Sequence, residues 1–296
     1  MNVVRTGVVF PQTEIGRDPV AIREFAQVVE EMGFDHLVAY DHVVGADISN
    51  RPGWSMPYTH ESAFHEPLVL FSYLAGVTTR LEFATGVVVM PQRQAALFAK
   101  QAANLDIFCQ GRLRLGLGIG WNEVEYEALG LPFERRDARL DEQVEFMRRL
   151  WCDASFSFDG RFHKLSEGGI NPLPVQRPIP VWIGGVSEMA MRRAAKLGDG
   201  WMPVLPAAQA DEQVGRFREL VREAGRDPNQ IGFENIIFIG RTIGGPRRGW
   251  EDAVADHGAW KRAGATHVCV HTMGADLTSP DDHLELLRRI IESVAE

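Results

Sequence analysis

Apolar and polar positions along this chain switch repeatedly between two periods. Short β-branched runs are followed by longer stretches with apolar residues on one helical face. Residues 5–10 read as a strand, and residues 21–32 follow with Ile22, Phe25, Ala26 and Val29 aligned. Gly33 ends that helix, because a left-handed cap costs glycine no Cβ clash. A strand at 37–40, a helix at 67–77 opened by Pro67, a strand at 81–90, a helix at 93–108 and a strand at 113–119 continue the series. There the rhythm breaks. Residues 123–129 read as a short helix, 137–151 as a long one with Leu140, Val144, Met147 and Trp151 aligned, and 155–165 as a hairpin turning at Asp159-Gly160. A proline-rich stretch at 171–180 leads back to a strand at 181–184. Helices at 187–197, 211–224, 251–263 and 280–294 then alternate with strands at 200–204, 232–239 and 266–270.

The count is eight strand-then-helix units with one interruption between the fourth and fifth strands. Near-continuous apolar strands separated by amphipathic helices imply a parallel sheet covered by helices. Eight such units close most naturally into an α/β fold of the (β/α)8 TIM-barrel type, the alternative being a doubly wound open sheet. The expectation is a single domain over residues 1–296 with an insertion at about 121–178.

Composition narrows the function. Of 296 residues, 45% are hydrophobic, too many for a disordered chain. Cys109, Cys152 and Cys269 are odd in number and form no Cys-x-x-Cys, which points to reduced thiols and a cytoplasmic protein. Residues 1–7 lack the pattern of a secretion leader, and no apolar run approaches the roughly 18 residues that span a bilayer. With 31 basic and 40 acidic side chains the net charge is −9, so no basic face for nucleic acid is advertised and a small-molecule substrate is the expected partner.

Barrel enzymes carry their chemistry at the C-terminal ends of the strands. The second strand delivers Asp41 and His42 there, the third Gly86 and Val87, the fourth the glycine run 116–120 with Trp121 and Asn122, and the fifth Gly184, Gly185, Val186 and Ser187. His42 is placed to exchange a proton near neutral pH, or simply to bond a neighbouring loop. The glycine run fails as a dinucleotide fingerprint, because Trp121 stands where the last glycine belongs. It reads either as room for a flat ring or as tight strand packing. Residues 184–187 offer free N–H groups at a helix start for an anion, unless Ser187 only caps the helix. In a chain of net charge −9, such local N–H groups must do the work of holding an anionic cofactor. A metal hydrolase would want His-x-His, which is absent, and a retaining glycosidase a carboxylate pair, for which Glu234 has no obvious partner.

These residues resemble a known family. Residues 31–35 and Tyr40-Asp41-His42, Thr85-Gly86-Val87, Gly111-Arg112-Leu113 with 116–123, and 178–185 with Gly198-Asp199-Gly200-Trp201 together are similar to the luciferase-like monooxygenase superfamily. Asp41-His42, His65-Glu66-Pro67-Leu68, Pro91-Gln92-Arg93-Gln94 and Gly120-Trp121-Asn122-Glu123 resemble its branch that uses the deazaflavin coenzyme F-420. The resemblance implies a homodimeric barrel in which Asp41 and His42 face the ring. It places a non-proline cis peptide at Gly86-Val87 behind the ring, the phosphate loop at Gly184, Gly185, Val186 and Ser187, and cofactor contacts at Gly120 and Asn122. The activity implied is hydride transfer to or from a small organic substrate, with His42 handling the proton. FMN-dependent oxygenation and a non-enzymatic flavin-binding barrel are the alternatives. One departure bears on the substrate. Sugar-phosphate dehydrogenases of this family carry an acidic residue directly after the glycine run, where this chain has Trp121, with Glu123 out of register; a less polar substrate is implied. Residues 45–64 supply Trp54, Tyr58 and His60, which line a pocket or pack the loop on itself.

Overall fold

The computed structural model describes residues 4–241 and 247–295, so the expectation about the chain's start lies in part, at residues 1–3, outside the described residues. The first half runs β1 (Arg5–Val9), α1 (Pro19–Glu31), β2 (His36–Ala39), α2 (Pro67–Ala75), β3 (Glu82–Thr85), β4 (Val88–Val89), α3 (Ala95–Phe108) and β5 (Leu113–Gly118). Then come α4 (Glu123–Ala128), α5 (Arg136–Cys152), β6 (Phe156–Asp159) and β7 (Lys164–Gly168). The second half runs β8 (Val181–Gly184), α6 (Glu188–Leu197), β9 (Gly200–Met202), α7 (Ala210–Glu223), β10 (Gly232–Phe238), α8 (Trp250–Ala263), β11 (His267–His271) and α9 (Pro280–Ala295).

Helix starts follow local chemistry. Asp18 accepts the Val20 N–H at 2.9 Å and Pro19 opens α1, whose buried face is Ile22, Phe25, Ala26 and Val29 as the period predicts. Glu66 and Pro67 open α2 in the same way. The strands pair in the order β3, β2, β1, β11, β10, β9, β8, β5, all parallel, and β3 pairs with β5 to close the ring. That closure makes an eight-stranded (β/α)8 barrel and excludes the open sheet. Between β5 and β8, α5 packs against α3 and α6, and β6 and β7 form an antiparallel hairpin.

Three expectations change in detail. The third barrel strand is not continuous: it stops at Thr85 and resumes as β4, which pairs with β5; the Gly86–Val87 peptide between them is cis, as the resemblance implies. Val87 points inward there, and a Cβ on Gly118 or Gly184 would fall 2.4 or 2.5 Å from its methyl groups. The hairpin turn is longer than Asp159-Gly160. Asp159 still pairs with Lys164, and the carboxylate of Glu142 draws the chain around by accepting the N–H groups of Arg161, Phe162 and His163 at 2.7–2.8 Å. The strand expected at 200–204 ends at Met202, because Asn235 takes both the N–H and the C=O of Leu205, at 2.9 and 3.1 Å.

The barrel interior is layered. Val9, Val38, Ala84, Ile236 and Cys269 fill its middle. Below them lies a polar floor that corrects the reading of Glu234. This carboxylate is fully buried and accepts from Arg114 Nη1 at 2.6 Å and His36 Nε2 at 2.5 Å, with the Arg114 guanidinium 4.1 Å above the Trp182 ring. Arg114 and His36 together hold the Glu234 carboxyl far below the usual range despite its burial.

Candidate active site

At the opposite end of the barrel, the C-terminal mouth, the second strand turns outward through Tyr40, Asp41 and His42. His42 Nδ1 lies 3.1 Å from Oε1 of Glu125, a buried residue of α4. The same oxygen accepts the Val43 N–H at 3.1 Å, and Oε2 accepts from Gln92 Nε2 at 3.3 Å. Three donors around one carboxyl group fit an acceptor-only carboxylate, so Nδ1 of His42 is the nitrogen that donates to Glu125. The ring is walled by Phe64, Tyr58 and Trp121, with centroids 4.7, 5.1 and 5.4 Å away, and Trp54 meets Trp121 edge-on at 5.9 Å. A cavity of about 150 Å³ opens beside His42, lined by Tyr58, His60, Ser62, Trp121 and Asn122. It has room for a molecule of roughly benzene's size.

The other residues named from sequence fall into two groups. Asp41 is buried with both oxygens engaged: Arg93 Nη2 donates at 2.7 Å and the Val89 N–H at 3.0 Å, so it ties the end of β2 to β4. Asn122 caps α4 by accepting the Val124 N–H at 3.2 Å and holds Val44 C=O at 3.0 Å, which fixes the loop over the cavity it lines. Gly120 lies against Val89, and Glu123 is exposed on α4, turned away from the cavity. Gly86 and Val87 face the barrel axis, where Val87 fills the space left by Gly118 and Gly184; the glycines serve that packing.

Residues 184–187 lie at another edge of the mouth. Gly185 has φ of +118°, a conformation open to glycine, and it turns the chain into α6. Ser187 caps the helix by accepting the Ala190 N–H at 3.2 Å, which leaves its own O–H free to donate. Val186 is exposed, and Glu188 in the first turn is held by Arg216 and Arg192 at 3.1 and 2.8 Å. The N-terminal N–H groups and this hydroxyl fit a phosphate.

Two sets of residues were missed in the sequence. Glu125 gave only the weak signal of a short helix after Trp121. Deeper in the mouth, Tyr40 and Phe238 flank His271, the last residue of β11. Both ring nitrogens of His271 are buried without a hydrogen-bond partner, which fits a site that receives a polar ligand. Tyr58 lies near Tyr40, and its pKa is pushed up to about 12 by burial and then by Glu14. On the floor, ligand atoms of His36, Glu234 and Cys269 lie within 4.8 Å of one another, but Arg114 already supplies the cation that Glu234 needs.

Comparison with known proteins gives the mouth a context. The family model of the luciferase-like monooxygenases matches residues 4–243. An uncharacterised protein of Mycobacterium tuberculosis is 34% identical over 239 residues, 78% of this chain and 81% of that one. An FMNH(2)-dependent dimethylsulfone monooxygenase of Pseudomonas putida is 30% identical over 181 residues, 60% of this chain and 46% of that one. Among solved structures, a secondary alcohol dehydrogenase dependent on coenzyme F-420, in complex with an adduct of that coenzyme and acetone, superposes with a TM-score of 0.80 at 19% identity, covering 99% of each chain. No helix among the described residues is long and apolar enough to cross a membrane.

Proposed function

The chain belongs to the luciferase-like monooxygenase family, whose members are oxidoreductases, and within it we propose a deazaflavin-dependent enzyme that moves a hydride to or from a small organic substrate. The observation that carries this reading is the His42–Glu125 pair beside a small cavity that Tyr58, Phe64 and Trp121 help to line. Hydride transfer between carbon atoms of an alcohol and a ring requires that the hydroxyl proton leave or arrive at the same time. His42 Nε2 is the group at the cavity positioned for that proton, and Glu125 stabilises the imidazolium that forms. Trp121 and Phe64 present flat apolar walls to the remainder of the substrate and keep water from the reacting atoms.

When bound, the coenzyme ring supplies the hydride acceptor or donor. Gly86 and Val87 would back the ring and residues 184–187 would hold its phosphate. A cavity of about 150 Å³ is smaller than the roughly 300–1,000 Å³ of ligand sites, so it takes the small substrate and not the ring. A second reading, oxygenation with reduced FMN, draws support from the Pseudomonas putida relative. Fluorescence quenching of the purified protein separates the two. Tight binding of coenzyme F-420 with weak binding of FMN is expected; tight FMN binding with substrate-linked oxygen consumption overturns the deazaflavin reading.

A further inference from the structure

Among the described residues, the buried histidines are His36, His257, His271 and His283. Three have an evident reason to be inside: His36 bonds Glu234 at 2.5 Å, His257 meets Thr6 Oγ1 at 3.0 Å, and His283 meets Thr272 Oγ1 at 2.8 Å. His271 has none, since neither of its nitrogens has a partner although only 4% of the residue is exposed. Buried polar groups are paired in the great majority of cases, so two orphan nitrogens on one ring call for a ligand.

Its position says which ligand. His271 follows His267 and Cys269 on the inward face of β11, at the C-terminal end where barrel enzymes bind substrates. Phe238, in register on the neighbouring β10, lies 4.3 Å away between centroids. Tyr40, at the end of β2 on the other side, stacks at 5.7 Å and 24°. The Tyr40 ring in turn lies 3.7 Å from where a Cβ of Gly86 would stand. The aromatic neighbours flank the imidazole, and its polar edge is what remains for a visitor. The nearby ionisable groups are committed elsewhere: Glu14 accepts the Gly274 N–H at 2.8 Å and pairs with His283 at 3.1 Å. Burial holds the pKa of His271 down to about 4, so at neutral pH it offers one N–H and one lone pair.

We propose that His271 donates a hydrogen bond to a carbonyl on the edge of the planar ring that lies against Gly86 and Val87. This rests on the reading of the mouth as a deazaflavin or flavin site. It makes His271 a residue that touches the cofactor from the eighth barrel strand, two strands from the one that leads to His42.

The test uses the full chain labelled with 15N-histidine, the His271 signals being assigned by their loss in His271→Asn. Adding coenzyme F-420 or FMN alone is expected to shift the His271 nitrogens, and His271→Phe and His271→Asn are expected to bind that cofactor about tenfold more weakly or worse, with circular dichroism unchanged. Unshifted nitrogens in cofactor-saturated wild type overturn the proposal while leaving the cofactor reading intact, and this measurement needs no variant to fold. Equal affinity of a folded His271→Phe does the same. Wild type that binds neither cofactor overturns both.

Discussion

Acid should unfold this protein before its carboxylates titrate, because histidines are buried neutral. Burial lowers His257 from 6.5 to about 4, with Lys261 adding to the effect, and burial lowers His271 to about 4 as well. In the unfolded chain both titrate at the ordinary value. Between pH 6.5 and about 4 the unfolded state therefore takes up protons that the folded state refuses, and stability falls with pH throughout that window. A gap of about 2.5 units at 1.36 kcal/mol per unit is about 3.4 kcal/mol for each histidine, or about 7 kcal/mol together. Native domains have about 5–15 kcal/mol in total, so the loss is decisive. His267, pushed down to about 2 by burial and then by Arg114, acts in the same direction. Urea unfolding at pH 7.0, 6.0 and 5.0 should give a slope that steepens below pH 6.5 toward about 2.7 kcal/mol per pH unit near pH 5, the limiting value for two protons. His257→Gln, which keeps a group able to bond Thr6, should lower that slope by one proton. Stability that is flat from pH 7 to pH 5 refutes the reasoning.

Two further perturbations probe the mouth and the floor. Glu125→Gln keeps the shape around His42 but removes the charge, and should slow hydride transfer about 10- to 100-fold, the worth of a charge-assisted hydrogen bond. Combined with His42→Ala it should add almost nothing further in stopped-flow measurement of coenzyme reduction; additive losses would separate the two residues. Glu234→Leu strands Arg114 and His36 on the barrel floor and should cost about 3–5 kcal/mol in urea unfolding, where a change under about 1 kcal/mol would contradict the ion-pair account.

The barrel was legible because its signals are local. Period-two and helical faces, Asp18-Pro19 and Glu66-Pro67 at helix starts, and Gly33 at a helix end each act over a few residues, and eight repetitions leave little choice of topology. The errors lie where a distant side chain overrules the local signal. Glu142 of α5 bends the hairpin past Asp159-Gly160, and Asn235 of β10 takes the backbone of Leu205 out of the ladder of β9. The missing partner of Glu234 is the same kind of error: Arg114 lies 120 residues away in sequence and reaches it only across the closed barrel.

Site residues divide along that line too. Strand-end rules place His42 at the mouth, but not what its neighbours do with it. Asp41 reads as a partner of a ring; its carboxylate is clasped by Arg93 and the Val89 N–H, and the carboxylate that meets His42 is Glu125, 83 residues on. The glycines of β5 read either as space for a ring or as tight packing, and side-chain and backbone packing accounts for them: Val87 lies against Gly118, and Thr85 and Met202 against Gly116. His271 was passed over because an alternating apolar strand ending in histidine looks like any other strand end; only the closed barrel reveals that Phe238 and Tyr40 flank its ring and leave both nitrogens unanswered. The chemistry of the mouth thus follows from pairings between elements far apart in the chain: His42 with Glu125, and His271 with Tyr40 and Phe238. Tyr58 lines the cavity at His42 and also lies close to Tyr40, which stacks on His271, so the two parts of the mouth adjoin at that side chain.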